Sequence, residues 1–221
     1  MEILKDIDFD FDKNVFEKKI ELEKYNDDLK EDVSQFLDKT LPSVKPKAIY
    51  EVGYIDERKQ DKVVINNVEF TSKILRKNLK GVERVFSYIA TCGNELEQLE
   101  AETEDYLEQF WVDKLKEMAL GAANSHLTDY IKEKYKIEQL SNMNPGSGDR
   151  DLWPIEQQEN LFSLFGNVEE LIGVKLSDSF LMTPNKSVSG IYFPTEVKFE
   201  SCQFCQREDC PSRRAPYKGE L

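Results

Sequence analysis

Histidine and long apolar runs are the scarcest features of this 221-residue sequence. A single histidine, His126, with no nucleophile motif near it, argues against a catalytic triad and excludes a histidine-rich metal site. No apolar run approaches the roughly 20 residues that a membrane-spanning helix needs, and the first residues lack the basic-then-apolar layout of a secretion signal. We therefore expect a cytoplasmic protein.

Contiguous positive charge is also missing. The chain has 43 acidic and 30 basic residues, which leaves a net charge of −13. Proteins that bind nucleic acid unaided need a basic footprint, and an acidic membrane surface would repel this chain. We therefore expect no nucleic-acid partner and no membrane partner. Hydrophobic residues make up 39% of the chain, enough for a sizeable core in one large or two small domains.

Proline positions and changes in apolar periodicity divide the chain into three parts. Residues 1–44 repeat apolar side chains every three or four positions, which predicts an amphipathic helix or helix pair. Residues 45–200 alternate strand-like and helical segments, and residues 201–221 form a cysteine-containing tail. The predicted strands are 48–55, 63–65, 84–92, 174–182 and 188–193. The predicted helices are 70–79, 95–135 as one helix or two in line, and a helix from Pro154 to Gly166. Residues 141–149 are predicted to be a loop.

The cysteines are crowded near the C-terminus. Cys202, Cys205 and Cys210 lie within nine residues, and in a reducing cytosol such spacing favours Zn²⁺ or an iron–sulfur cluster over a disulfide. Either centre needs a fourth ligand, for which Cys92 is the best candidate and His126 or an exogenous ligand the alternative. The simpler interpretation is a set of reduced thiols that pack as small hydrophobic side chains.

The predicted loop before Pro154 is a second candidate site. Gly146 and Gly148 allow the backbone to approach a ligand closely, and the N-terminus of the following helix could receive an anionic group. On composition alone, a plain connector is the more economical interpretation.

Several ordered motifs resemble one known family, the activation domain of cobalamin-dependent methionine synthase, across about residues 45–200. The motifs are Asn144-Pro145-Gly146-Ser147-Gly148, Trp153-Pro154-Ile155-Glu156, Gly173-Val174-Lys175-Leu176, Met182 with Pro184, and Ser187-Val188-Ser189-Gly190. The resemblance implies an α+β fold, in which a twisted, mainly antiparallel sheet is packed with helices and preceded here by an N-terminal helical extension. Residues 1–44 and the cysteine tail are more similar to free-standing relatives found with corrinoid proteins.

The same resemblance implies a function in corrinoid chemistry. Such a module binds S-adenosylmethionine, docks on a cobalamin-binding protein or methionine synthase, and takes part in reductive methylation of the corrinoid with an electron donor protein. It would be a component of a methyltransferase system without turnover of its own. The residues implied as ligand-binding are Asn142, Asn144, Pro145, Gly146, Ser147, Ser187 and Ser189.

Three positions depart from the family pattern. An arginine three residues before the motif proline is replaced by Asn142, and a tyrosine after the glycine is replaced by Ser147. A glutamate that contacts the ligand in the family falls near Gly121. Since asparagine offers a carboxylate only a neutral contact, the alternative is a non-enzymatic zinc or iron–sulfur adaptor that docks on a corrinoid protein without binding S-adenosylmethionine.

Overall fold

The fold is described by a computed structural model that covers residues 1–148, 152–197, 199–210 and 213–219. Its strands are β1 (Glu2–Leu4), β2 (Lys47–Arg58), β3 (Lys62–Ile65), β4 (Val68–Thr71), β5 (Arg84–Thr91), β6 (Leu140–Met143), β7 (Lys175–Leu176), β8 (Met182–Thr183) and β9 (Ser187–Pro194). Its α-helices are α1 (Lys13–Lys19), α2 (Asp27–Thr40), α3 (Lys73–Asn78), α4 (Asn94–Glu102), α5 (Tyr106–Tyr135), α6 (Gln158–Ser163) and α7 (Val168–Ile172). Short 3₁₀ turns cover Leu22–Lys24, Leu41–Ser43, Ile155–Gln157 and Ser201–Phe204.

The main sheet is antiparallel throughout, with strand order β4-β3-β2-β5-β9-β6. The long strand β2 pairs with β1 near its start and with β3 near its end. Strands β7 and β8 form a separate two-stranded ribbon. The expected α+β class with a mainly antiparallel sheet and an N-terminal helical part is confirmed.

Side chains of the central strands alternate between two buried faces, as the two-residue period of a strand requires. On one face, Ile89 and Ile191 pack with α3, α6 and α7. On the other face, Tyr88 and Tyr192 pack against α5. The sheet is therefore covered on both sides, and α5 alone forms much of the cover on the second side.

The N-terminal helices form a third cluster with the first half of α5. Phe16 and Ile20 are buried beside Trp111 and Leu115. Asp12 caps the N-terminus of α1 by accepting hydrogen bonds from the backbone N–H groups of residues 14 and 15, and Asn26 caps α2 in the same way. The predicted helix pair at 1–44 is thus present, but strand β1 was not predicted.

Four local predictions need correction. The predicted helix 70–79 begins as strand β4, because Phe70 is buried in the sheet and Ser72 caps the N-terminus of α3. The predicted loop 141–149 starts as strand β6, paired with β9. The predicted strand 174–182 is interrupted by a turn in which Phe180 adopts a left-handed conformation, φ 61°. The stretch 95–135, predicted as one helix or two in line, is two helices divided at Thr103–Asp105, but they are not in line, because α4 packs back on α5 through Lys116.

The helix α5 is 30 residues long, but it carries many charged side chains. Within the described ranges, no helix is both long enough and apolar enough to cross a membrane.

Candidate functional site

A polar cavity of about 370 Å³ lies between the sheet and α5, and the C-terminal tail closes one side of it. Strands β5, β6 and β9 form its floor, and the second half of α5 forms a wall. Its lining includes the side chains of Tyr88, Asn124, Asn142, Asn144, Tyr192 and Arg214. Small-molecule sites are usually concavities of about 300–1,000 Å³, so this one is large enough for a nucleoside-sized ligand.

Two stacked tyrosines form the aromatic part of the floor. The rings of Tyr88 and Tyr192 are 4.1 Å apart between centroids, with an interplanar angle of 20°. They become neighbours because Phe86 pairs with Tyr192 and Tyr88 with Gly190 in the β5–β9 register, which sets the two rings diagonally on one face. Burial raises the pKa of both phenols, so both stay protonated at neutral pH.

The hydroxyl of Tyr88 also organises two amides. It accepts hydrogen bonds from Asn142 Nδ2 at 3.0 Å and from Asn144 Nδ2 at 2.8 Å. Asn144 Nδ2 in addition donates to the backbone carbonyl of Ser189 at 2.7 Å. Gly190 makes room for this arrangement, since a Cβ there would lie 2.5 Å from Asn144 Nδ2 and 3.1 Å from the Tyr88 ring.

The wall from α5 contributes polar groups at helical spacing. Asn124 and Thr128 lie one turn apart and both line the cavity. The hydroxyl of Thr128 donates to the carbonyl of Asn124 at 2.8 Å, and its oxygen also lies 3.1 Å from the hydroxyl of Tyr192. Asn124 Oδ1 is buried and has no hydrogen-bond partner among the described residues. Because an unpaired buried acceptor costs free energy, this atom is a ready acceptor for a ligand donor.

The C-terminal tail adds charge to the cavity. Arg214 Nε lies 3.3 Å from Glu200 Oε2, and both side chains line the cavity. The neighbouring Arg213 holds the tail, because its guanidinium donates to the carbonyls of Cys202 (3.1 Å), Cys205 (2.9 Å), Arg207 and Ala215 (3.2 Å). These hydrogen bonds hold the tail in the conformation that places Arg214 at the edge of the cavity.

Of the residues predicted to bind a ligand, Asn142 and Asn144 line this cavity, whereas two serines face the other side of the sheet. Ser189 Oγ donates to Gln158 Oε1 at 2.6 Å, next to α6. Ser187 Oγ contacts Thr91 Oγ1 at 2.9 Å. The structure does not bring these hydroxyls together with the asparagines, because a strand directs side chains at odd and even positions to opposite faces.

The predicted loop lies beside the cavity and packs on the chain that follows it. Pro145 is buried, and the N–H of Gly146 donates to the carbonyl of Trp153 at 2.8 Å. The N–H of Ser147 donates to the carbonyl of Asn144 at 3.1 Å, which closes a turn. Gly146 has φ +76°, a conformation that favours glycine. The helix after Pro154 begins as a 3₁₀ turn, so it does not supply the anion site that a longer helix could.

The structure does not support the predicted metal centre. Cys92 is buried against Leu96 and Trp111, its Sγ lies 3.5 Å from the carbonyl of Gly93, and burial raises the pKa of its thiol to about 12. Cys202, Cys205 and Cys210 are partly exposed free thiols in the tail. Over the part of the chain that is described, no three His, Cys, Asp or Glu side chains are grouped so that they could hold a metal ion.

His126, the alternative fourth ligand, is an exposed residue of α5 that stacks loosely on Tyr130, with ring centroids 6.4 Å apart. The cavity side chains that the sequence did not reveal are Tyr88, Tyr192, Asn124 and Arg214. The two tyrosines lie in predicted strands, but their pairing depends on strand register. Arg214 reaches the site only through the fold of the tail.

These observations define an α+β domain with a polar, aromatic-floored cavity between an antiparallel sheet and one long helix. The family model described as "Vitamin B12 dependent methionine synthase, activation domain" matches residues 88–212. The chain belongs to this family. The matched range contains strands β6 and β9, helix α5 and the half of β5 that begins at Tyr88, and it ends just before Arg213 and Arg214.

A solved structure agrees with the assignment at the level of fold. The chain is similar to the crystal structure of the MetH reactivation domain bound to AdoHcy, with a TM-score of 0.58 and 21% sequence identity. The match covers 78% of this chain and 66% of that chain. No curated protein matches this sequence.

Proposed function

We propose that the cavity binds S-adenosylmethionine and that the chain acts as a free-standing reactivation module for a cobalamin-dependent methyltransferase system. The observation that carries the proposal is the cavity itself, whose floor and helical wall are built within the part of the chain that matches the family. The fold neighbour, which was solved with AdoHcy, supports the choice of ligand.

The residues of the cavity suit the parts of such a ligand. Tyr192, which is 6% exposed and stacks on the buried ring of Tyr88, presents the accessible part of its ring to a purine or ribose. The unpaired Asn124 Oδ1 can accept a hydrogen bond from a ligand N–H or O–H. Asp129 and Glu200 supply negative charge at the cavity, which favours a ligand that carries a sulfonium and an ammonium group.

The ligand would supply a methyl group for the reduced cobalt of a cobalamin carried by another protein or domain. The contribution of this chain is positional: a fixed sheet floor and a helical wall orient the ligand and limit its contact with water. None of the described groups at the cavity is needed as a general acid or base for such a transfer. We accordingly assign no catalytic residue, and the module has no turnover without its partner.

The proposed partners are a corrinoid-binding protein, which the module would meet at the cavity mouth, and an electron donor protein that reduces the cobalt. A reducing compartment suits this chemistry, so the cytoplasm is the proposed location. The proposal predicts that AdoHcy forms only when this chain, a Co(II) corrinoid protein, S-adenosylmethionine and a reductant such as titanium(III) citrate are combined without oxygen. AdoHcy formation that is unchanged when this chain is left out would contradict the role in reactivation.

Ligand binding is tested by isothermal titration of S-adenosylmethionine into the purified chain. Asn142→Ala should weaken binding about fivefold, because it removes one neutral hydrogen-bonding group from the cavity. Ser187→Ala is the matched control, since it removes a polar group from the opposite face of the same sheet. Absence of binding heat at millimolar ligand, or a larger loss for Ser187→Ala than for Asn142→Ala, would contradict the proposed site.

A further inference from the structure

We infer that Arg214 of the C-terminal tail is the group that binds the carboxylate of the ligand in this chain. The inference rests on the proposed function, because it assigns one end of the same ligand. Arg214 is the single cationic side chain among the described residues that line the cavity. The tail would thus be part of the binding site.

Charge makes such a cation necessary. The chain carries a net charge of −13, and Asp129 and Glu200 add negative charge at the cavity. A ligand carboxylate entering this field would be repelled unless a positive group lay close to it. The amides of Asn142 and Asn144 can donate hydrogen bonds, but they are neutral and already donate to Tyr88.

The geometry of Arg214 leaves the two terminal nitrogens of its guanidinium available to a ligand. Its Nε faces Glu200, and its backbone N–H donates to Cys202 Sγ at 3.4 Å. Neither terminal nitrogen of the guanidinium has a partner within the described ranges, and 57% of the side chain is exposed. Since the two terminal nitrogens of an arginine can hold a carboxylate bidentately, Arg214 can keep Glu200 and still accept a ligand.

Positions 142 and 214 contribute side chains to the same cavity from different parts of the chain. A neutral residue at position 142 is therefore compatible with carboxylate binding, because Arg214 of the tail supplies the positive charge. This arrangement makes a specific prediction: an arginine introduced at position 142 should compensate for the loss of Arg214.

The test compares two ligands in isothermal titrations at fixed ionic strength. S-Adenosylmethionine has the carboxylate, whereas 5′-methylthioadenosine lacks the whole amino-acid part. Arg214→Ala should weaken binding of S-adenosylmethionine about 10- to 100-fold, as expected for loss of a charge-assisted contact, and leave binding of 5′-methylthioadenosine within about twofold. The affinity of Arg214→Lys for S-adenosylmethionine should lie between those of the unchanged chain and Arg214→Ala, because lysine keeps the charge but cannot bind a carboxylate bidentately.

Two further variants separate a local contact from a general charge effect. Arg207→Ala removes one positive charge from an exposed tail position whose side chain forms no hydrogen bond or ion pair with the other described residues, so it should leave both affinities unchanged. Asn142→Arg combined with Arg214→Ala should recover most of the lost affinity. Thermal unfolding of each variant checks that the fold is intact.

The outcomes distinguish this inference from the function on which it rests. The first outcome is that the unchanged chain binds S-adenosylmethionine but Arg214→Ala lowers this affinity by less than about threefold, or lowers the affinity for 5′-methylthioadenosine by the same factor. Either result refutes the role of Arg214 and leaves the binding function standing. An equal loss for Arg207→Ala would refute it too. If the unchanged chain binds neither ligand, the proposed function itself fails.

Discussion

The hydroxyl of Tyr88 is the point at which the two asparagine side chains of the cavity floor meet. Asn142 comes from β6, Asn144 follows it, and Tyr88 lies on β5, with β9 between the strands. A single oxygen atom therefore couples side chains from two strands that do not pair with each other. Its removal should disturb the cavity without opening the core.

Tyr88→Phe should lower the free energy of unfolding by about 1–2 kcal/mol, because two amide N–H groups lose their acceptor. Chemical denaturation measures this change. Tyr54→Phe is the matched control: Tyr54 is 58% exposed, and its loss of a hydroxyl should change stability by less than about 0.5 kcal/mol. Equal effects of the two substitutions would show that the hydrogen bonds to Tyr88 contribute nothing.

Cys92 differs from the tail cysteines in its reactivity. Only thiolates react readily, and burial raises the pKa of the Cys92 thiol to about 12. We expect a thiol reagent at pH 8 to modify Cys202, Cys205 and Cys210 in the native protein and Cys92 only after unfolding. Mass spectrometry of the labelled peptides identifies the sites. Rapid native labelling of Cys92 would contradict its burial.

The same shift has a consequence for stability at high pH. The folded chain favours the protonated thiol, whereas the unfolded chain releases that proton near the ordinary pKa of 9.0. The stabilisation is therefore complete below pH 9 and declines as the pH rises from 9 towards 12. Cys92→Ala should show a shallower loss of stability between pH 9 and pH 10.5 than the unchanged chain, measured by denaturation at each pH.

Helices α4 and α5 are joined by a buried ion pair. The side chain of Lys116 is 0% exposed, and its Nζ lies 2.5 Å from Glu97 Oε2 and 2.5 Å from Glu100 Oε2. The helix α4 presents the two carboxylates from adjacent positions on one face, three residues apart. This contact fixes the angle at which the chain turns back after the break at Thr103–Asp105.

Lys116→Met should destabilise the protein by about 3 kcal/mol, because it leaves two partly buried carboxylates without a counter-charge. Lys132→Met on the same helix is the control, since Lys132 forms no ion pair with any residue that the structure describes and the change should cost less than about 0.5 kcal/mol. Adding Glu97→Gln and Glu100→Gln to Lys116→Met should recover part of the loss. A neutral effect of Lys116→Met alone would refute the role of this pair.

At the scale of elements, the sequence was sufficient wherever a local pattern decides the structure. The period of Leu115, Ala119 and Leu127 predicted α5, and the β-branched run ending at Cys92 predicted β5. The sequence was not sufficient where pairing with another strand decides the local structure. Residues Leu140–Met143 look like a loop because Asn and Ser favour turns, but pairing with β9 holds them as a strand.

The residues of the cavity also divide into those that a local motif reveals and those that depend on how the chain folds. Asn142 and Asn144 were found through the motif that they share, and the resemblance grouped them with Ser187 and Ser189. The alternation of β9 separates them, and the residues of β9 that do line the cavity are Val188 and Tyr192. Arg214 lay beyond the motifs, because only the hydrogen bonds of Arg213 to the tail carbonyls bring it to the cavity.

At the scale of the whole molecule, the two tryptophans report on separate hydrophobic clusters. Trp111 is buried with α1 and α2, and Trp153 is buried on the far face of the sheet with Phe70. We expect residues 1–44 to unfold together with the rest, because Phe16 and Ile20 are buried as deeply as the residues of the sheet.

Two single-tryptophan variants, Trp111→Phe and Trp153→Phe, test this cooperativity. Fluorescence-detected urea unfolding of each is compared with circular dichroism of the same variant, so that any change in stability cancels. Coincident midpoints are expected. A Trp111 signal that changes at lower urea than the circular dichroism would show that the N-terminal helices form an independent unit.

The central claim is that the cavity between the sheet and α5 holds S-adenosylmethionine, and a crystal structure of the chain with this ligand tests it most directly. We predict that the ligand lies against Tyr192, within hydrogen-bond distance of Asn124 Oδ1, with its carboxylate at Arg214. Ligand density on the Ser187–Ser189 face, or a cavity filled by the protein's own side chains at saturating ligand, would contradict the claim.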